Sequence, residues 1–349
     1  MNNKQMAELE NYIKKEMFYK DIPGIAISIP KDHQIIYTKG YGVTSVESGQ
    51  LVTPKTIFHM ASITKTFVSM AIMQLWELNK IDLSGTINDY LPYFKMKDKR
   101  YEKITISQLL SHTSGMPDCK DYEWDHAEYD AGALERYVKS LSDMVLLDEP
   151  GNRFKYSNIA YEILGDIISK ISGEAFEDYV YWHILQPLQM VDSTLLLQNT
   201  KSEALARPHV KNEEKKVVLS KIFPYNRKHG PSSTLYSNVI DMSRWIRVHI
   251  HRGELASQRL LKPSTTDLIW SPITSIPCEG QEMGLGWFIG NLSGMKVLGH
   301  EGCDIGFRTS FGLLPDINLG VIVLANAHYA STKKIMYEAI NIILKSKEE

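Results

Sequence analysis

Cysteine is scarce: Cys119, Cys278 and Cys303 are the only three in 349 residues, and none shares a Cys-x-x-Cys spacing. An odd, scattered set fits reduced thiols in a cytoplasm better than a disulfide framework. Long apolar runs are missing too. The longest, residues 319–327, is about half of the ~20 residues needed to cross a bilayer, so it reads as a buried strand and no membrane span is expected. The first 21 residues mix acids and lysines and have no apolar core of the kind a secretory signal requires, which again points to the cytoplasm. An excess of one charge is absent: 39 basic against 41 acidic residues leave a net charge of -2, with no field to hold a phosphate backbone, so nucleic acid is excluded as a partner. No serine sits in a Gly-x-Ser-x-Gly elbow, which argues against an α/β-hydrolase fold. His249-Ile-His251 has no third ligand nearby, so no metal is expected, and the pair is read as lying on a helix surface.

The chain has ordinary globular composition, 43% hydrophobic and 23% charged, and length for about two domains. Met6, Leu9, Tyr12, Ile13 and Met17 recur at spacings of three and four, which predicts an amphipathic helix over residues 3–18. Two β-rich runs, 24–29 and 34–40, follow around a Pro30-Lys-Asp-His33 turn and predict a hairpin. From Ser62 to about residue 252 the pattern is helical, with Thr105 and Gln108 placed as a capping box and the charged stretch 211–216 read as a solvated loop. After residue 283 short apolar strands return at 285–289, 296–299, 307–314 and 319–325, and a helix over 333–345 carries Ile335, Met336, Ala339, Ile340, Ile343 and Leu344 on one face. The economical arrangement is α/β plus α: one antiparallel sheet built from both termini and flanked by the terminal helices, with a helical domain inserted. Residues 1–60 and 253–349 then form a discontinuous domain, residues 61–252 the insert, and a cleft lies between them.

Three short motifs carry chemistry. Ser62-Ile-Thr-Lys65 opens a helix, where three-residue spacing sets a hydroxyl beside an ammonium, and a lysine with a lowered pKa can take the serine proton. By itself the pattern fits a capping serine and an exposed lysine better than a catalytic pair. Tyr156-Ser-Asn158 stands at the mouth of another helix, and alternate residues of an extended segment share a face, so Tyr156 and Asn158 both enter the cleft. A phenol near a lysine can act as base and then as acid, although core packing for Tyr156 and helix capping for Asn158 are alternatives. His300-Glu-Gly302 closes the 296–299 strand, where Gly302 admits a substrate backbone and the Cys303 amide can donate to an oxyanion.

In this order the three motifs resemble the serine β-lactamase and penicillin-binding-protein superfamily, in its class C-like branch with esterases and D-amino-acid peptidases. The phrases Leu109-Leu-Ser-His-Thr-Ser-Gly115, Gly284-Leu-Gly-Trp287 and His300-Glu-Gly-Cys-Asp-Ile-Gly-Phe307 are similar to that branch as well. The resemblance implies a β-lactamase/transpeptidase-like fold and an acyl-enzyme at Ser62, with Lys65 and Tyr156 as the proton-transfer pair. It further implies that Asn158 contacts a substrate amide, that His300 and Gly302 line the substrate site, that the amides of Ser62 and Cys303 form the oxyanion hole, and that no cofactor is needed. One departure is His300, where relatives that take β-lactams or peptidoglycan carry lysine. A neutral imidazole weakens carboxylate binding, and Glu301 beside it either repels anions or points outward. The expected substrate is therefore a small ester or amide. A D-amino-acid peptidase or amidase, an acyltransferase and a weak β-lactamase are the alternatives, and a non-catalytic acyl-binding sensor is the alternative of another class. His112 is expected to brace a loop and Arg308 to lie on a strand face.

Overall fold

The computed structural model describes residues 1–277 and 280–345, so Cys278 lies outside the described residues. Eight strands form one antiparallel sheet: β1 (Gly24–Lys31), β2 (Gln34–Gly42), β3 (Thr274–Ile276), β4 (Gln281–Met283), β5 (Phe288–Leu292), β6 (Met295–Asp304), β7 (Phe307–Leu314) and β8 (Leu319–Ala325). Their order is β2-β1-β8-β7-β6-β5-β4-β3, so the N-terminal hairpin is sewn to the C-terminal meander through the β1–β8 pair. Both ends of the chain thus build one sheet, as the strand pattern indicates.

Period-two alternation explains why β8 is apolar throughout. Val321, Val323 and Ala325 pack with Ile25, Ile27 and Ile29 under α1 (Asn3–Lys20) and the C-terminal helix Thr332–Lys345, where Leu9, Ile13, Ile335 and Ile340 are fully buried. Ile322 and Leu324 face the opposite core with Phe67, Trp245 and Ile246. A strand covered on both sides has no polar face, and the 319–325 run needs no other reason.

Three local expectations change. The strand placed at 285–289 starts at Phe288, because residues 284–287 form a turn in which Gly286 has φ +82° and Leu285 N–H donates to the Ile269 carbonyl at 3.0 Å. The 296–299 strand continues to Asp304, so His300-Glu-Gly302 lies within β6 rather than at its end. His249 is fully buried among Trp245, Trp270 and Trp287, not on a helix surface. The capping box holds: Gln108 N–H donates to Thr105 Oγ1 at 3.3 Å, and Thr105 N–H to Gln108 Oε1 at 3.0 Å. Residues 211–216 bridge a small hairpin, His209–Lys211 with Val217–Leu219. No helix among the described residues is long and apolar enough to cross a membrane.

Candidate active site

Ser62 sits in a 3₁₀ turn, Ala61–Ile63, that runs into α2 (Thr64–Glu77). Ala61 has φ +49°, a left-handed conformation that costs a residue with a Cβ about 1–2 kcal/mol. The surroundings hold it there. Thr64 Oγ1 donates to the Ala61 carbonyl at 2.7 Å, and a Cβ on Gly302 of β6 would lie 2.3 Å from the Met60 carbonyl oxygen. Gly302 was expected to admit substrate. Its missing side chain also lets the Ser62 turn press against the strand, a second reason for glycine here.

One turn on, Lys65 is wholly buried, and its ammonium donates to Ser62 Oγ at 2.9 Å, to Asn158 Oδ1 at 2.6 Å and to the Ser232 carbonyl at 2.8 Å. Burial lowers its pKa to about 8, against the opposing pull of Glu162, Asp118 and Asp304. Tyr156 ends the extended stretch before α3 (Asn158–Ser172), whose cap is Ser157 rather than Asn158: Ser157 Oγ accepts the Ala160 N–H at 3.2 Å. Burial raises the Tyr156 phenol above its ordinary value, while a hydrogen bond with Ser62 opposes the rise. Asn158 is engaged twice, since its Nδ2 donates to both Asp118 carboxylate oxygens at 2.9 and 3.2 Å. The carboxamide therefore fastens the buried ammonium to a loop carboxylate.

Ser62, Tyr156, Asn158, His300, Gly302 and Cys303 line one cavity of about 410 Å³, together with residues from β3, β5 and β7. The last β5–β6 pair is Phe288 with Gly299, so residues 300–304 pair only with β7 and leave an uncovered strand edge beside Ser62. The spacing of the three motifs across almost 250 residues thus closes into one cleft.

The beta-lactamase family profile matches residues 9–345. The chain belongs to the beta-lactamase family. It is 28% identical to protein flp of Staphylococcus aureus over 96% of this chain and 66% of that protein, and 26% identical to the unguisins hydrolase ungD' of Aspergillus campestris over 91% of this chain and 61% of that one. The chain thus spans about two thirds or less of the length of these relatives. Among solved structures, the octameric penicillin-binding protein homologue from Pyrococcus abyssi superposes with a TM-score of 0.88 at 30% identity, covering 97% of this chain and 77% of that one. A penicillin binding protein from Bacillus halodurans, at 23% identity, shares the fold with a TM-score of 0.77 over 95% of this chain and 99% of that one. The fold is thus the β-lactamase/transpeptidase-like one, and the family is one of serine hydrolases.

Within this β-lactamase frame, His300 differs from a lysine in more than strength of charge. Its Nδ1 lies 2.6 Å from the Glu301 carbonyl, which only an Nδ1–H can satisfy, so Nε2 keeps a lone pair and is buried without a partner among the described residues. Burial first, then the Lys65 ammonium, lowers its pKa to about 3. Glu301 also lines the cavity, with its carboxylate 2.6 Å from Lys333 and 3.4 Å from Arg308. Arg308, expected only on a strand face, also lines the cavity.

Sequence reasoning missed Asp304, Asp118 and Tyr122. Asp304 Oδ2 is held by His59 at 2.8 Å and by the Ser233 hydroxyl, and its side chain lines the cavity with Tyr122. Its signal was available, because positions 300, 302 and 304 of a strand share a face. Asp118 and Tyr122 lie in an irregular segment with no periodicity to mark them.

Proposed function

We propose that this chain is a serine hydrolase that forms an acyl-enzyme at Ser62 with a small ester or amide lacking a carboxylate beside the scissile bond. The contact that carries the reading is the 2.9 Å hydrogen bond between Ser62 Oγ and a buried Lys65 whose pKa is held near 8. Neutral Lys65 takes the Ser62 proton as Oγ attacks the carbonyl carbon. The amides of Ser62 and Cys303 meet the oxygen that gains charge. As the carbon–oxygen or carbon–nitrogen bond breaks, the Tyr156 phenol gives its proton to the leaving group and recovers one from Lys65. Water then repeats the sequence on the ester and restores Ser62, so every step draws on side chains of this chain and on water. Asn158 holds the lysine, and its remaining surface in the cavity contacts the substrate amide.

Lone-pair-bearing, uncharged His300 favours neutral or hydrogen-bond-donating substrates over carboxylates. The cavity volume suits a small molecule. The name of the fungal relative makes that protein a hydrolase, the same reaction class. We read the cleft as lying between the discontinuous domain, residues 1–60 and 253–349, and the insert 61–252. An exposed thiol at Cys303 beside the reacting centre favours a reducing, cytoplasmic setting. A second reading, a D-amino-acid amidase or peptidase, draws on Asp304, a carboxylate in the cavity placed to hold a substrate ammonium.

A fluorophosphonate should add its mass to the peptide containing Ser62, and Ser62→Ala should abolish turnover in a panel of acyl esters, D-amino-acid amides and a chromogenic cephalosporin. Labelling elsewhere, or turnover by Ser62→Ala, would overturn the mechanism. One equivalent of product without turnover would instead make this an acyl-binding sensor.

A further inference from the structure

His112 stands in a strained backbone that nothing in the acyl-enzyme chemistry uses. It has φ +55° in a fully buried loop, a conformation that a residue with a Cβ adopts only where its surroundings insist. Three contacts run from it to the Lys155-Tyr156-Ser157 segment. Its carbonyl accepts the Lys155 N–H at 2.7 Å, its Nδ1 accepts the Ser157 N–H at 3.1 Å, and its ring stacks on the Tyr156 ring at 4.2 Å with planes 26° apart. Tyr161 backs the imidazole on another side, 5.0 Å away, and is itself anchored by a hydroxyl that donates to the Leu110 carbonyl at 2.8 Å. The phenol is thus gripped by its two neighbouring amides and by its ring face, and all three grips belong to one residue.

We propose that His112 is the positioning residue for Tyr156, fixing the phenol at Ser62 through an unprotonated Nδ1 and a stacked ring. The inference rests on the acyl-enzyme reading above, in which Tyr156 transfers a proton. Only a histidine in one tautomer meets all the demands. Nδ1 accepts the Ser157 amide and so carries no hydrogen, which places the ring proton on Nε2. Phenylalanine keeps the ring and loses the acceptor. Asparagine keeps an acceptor at the same distance along the side chain and tolerates positive φ, but loses the ring.

The test is a double-mutant cycle on ester turnover, with folding of each variant checked by thermal unfolding. His112→Phe should lower kcat about 10- to 100-fold with KM within about twofold, because a misplaced proton donor affects the transition state and not substrate binding. His112→Asn should recover most of that loss. In the Tyr156→Phe background, whose own loss should be about 10²- to 10⁴-fold, His112→Phe should add little, since residues that act as one unit are not additive. Equal losses in both backgrounds, or no loss from His112→Phe in wild type, would overturn the proposal. If His112→Phe does not fold, the same cycle run with His112→Ala, which removes acceptor and ring together, decides: a loss confined to the wild-type background supports the role, and an equal loss in both, or none, removes it. Full activity of Tyr156→Phe would overturn the phenol's part in the mechanism and this inference with it. An impaired Tyr156→Phe beside an additive His112→Phe overturns this inference alone.

Discussion

A lysine removed from water gives up its proton more readily, and Lys65 is such a lysine. Burial lowers its pKa to about 8, and three nearby carboxylates keep it from falling further. In the proposed mechanism the reactive form is the neutral amine, so the sign is fixed: acylation of Ser62 by a neutral ester should rise about tenfold per pH unit below that value and level off above it. His300→Lys tests the neighbouring position. Glu301 is already held by Lys333 and Arg308, so it is not available to quench an ammonium introduced across the strand. Acylation by a penicillin should then improve by about one to two powers of ten, the worth of an added charge-assisted hydrogen bond, with little gain for a neutral ester. The added cation also disfavours the Lys65 ammonium, so the acid limb of the profile should move to lower pH. Stopped-flow acylation rates against pH, for both substrates and both proteins, check all three outcomes. An unchanged penicillin-to-ester ratio would remove position 300 from substrate choice.

At the scale of elements, the site depends on how closely a turn can approach a strand. The Ser62 turn rests on β6 where Gly302 offers only hydrogen, and a Cβ there would stand 2.5 Å from Thr309 Oγ1 as well as 2.3 Å from the Met60 carbonyl oxygen. Backbone cannot swing aside as a side chain can. Gly302→Ala should cost about 1–3 kcal/mol of stability, as overpacking does, and should move Ser62 relative to the Cys303 amide. Misplacement by ~1 Å lowers kcat about 10²-fold, so activity should fall further than stability does. Urea titration beside kcat separates the two effects. A variant as active as wild type would show that the turn and the strand adjust independently.

For the whole molecule, the sheet carries a burden on each face. One face packs the helical core that positions Lys65 and Tyr156, and the other is covered by the two terminal helices. Leu9 of α1 is fully buried on that far side. Leu9→Ala should lower unfolding free energy by about 2–5 kcal/mol and leave kcat near wild type at temperatures where the protein stays folded, because the cavity opens away from the cleft. Equal loss of kcat and stability would couple the terminal helices to the site.

Sequence by itself determined what depends on near neighbours and on period. The two-faced apolar run of β8, the amphipathic terminal helices, the Thr105 cap and the Ser62-Lys65 pairing all follow from spacings of two, three and four. The order of the three motifs marked the family, and with it the fold. Tertiary structure decided what depends on distant partners. The pKa of Lys65 is set by burial and, against it, by Glu162, Asp118 and Asp304, carboxylates far from it along the chain. The orientation of Glu301 is set by Lys333 on a helix that no local pattern links to β6. The burial of His249 among tryptophans, and the grip of His112 on Tyr156, arise from residues distant in sequence that tertiary packing brings together. Charge, tautomer and strain are properties of an environment, and a sequence lists its members without saying which of them touch.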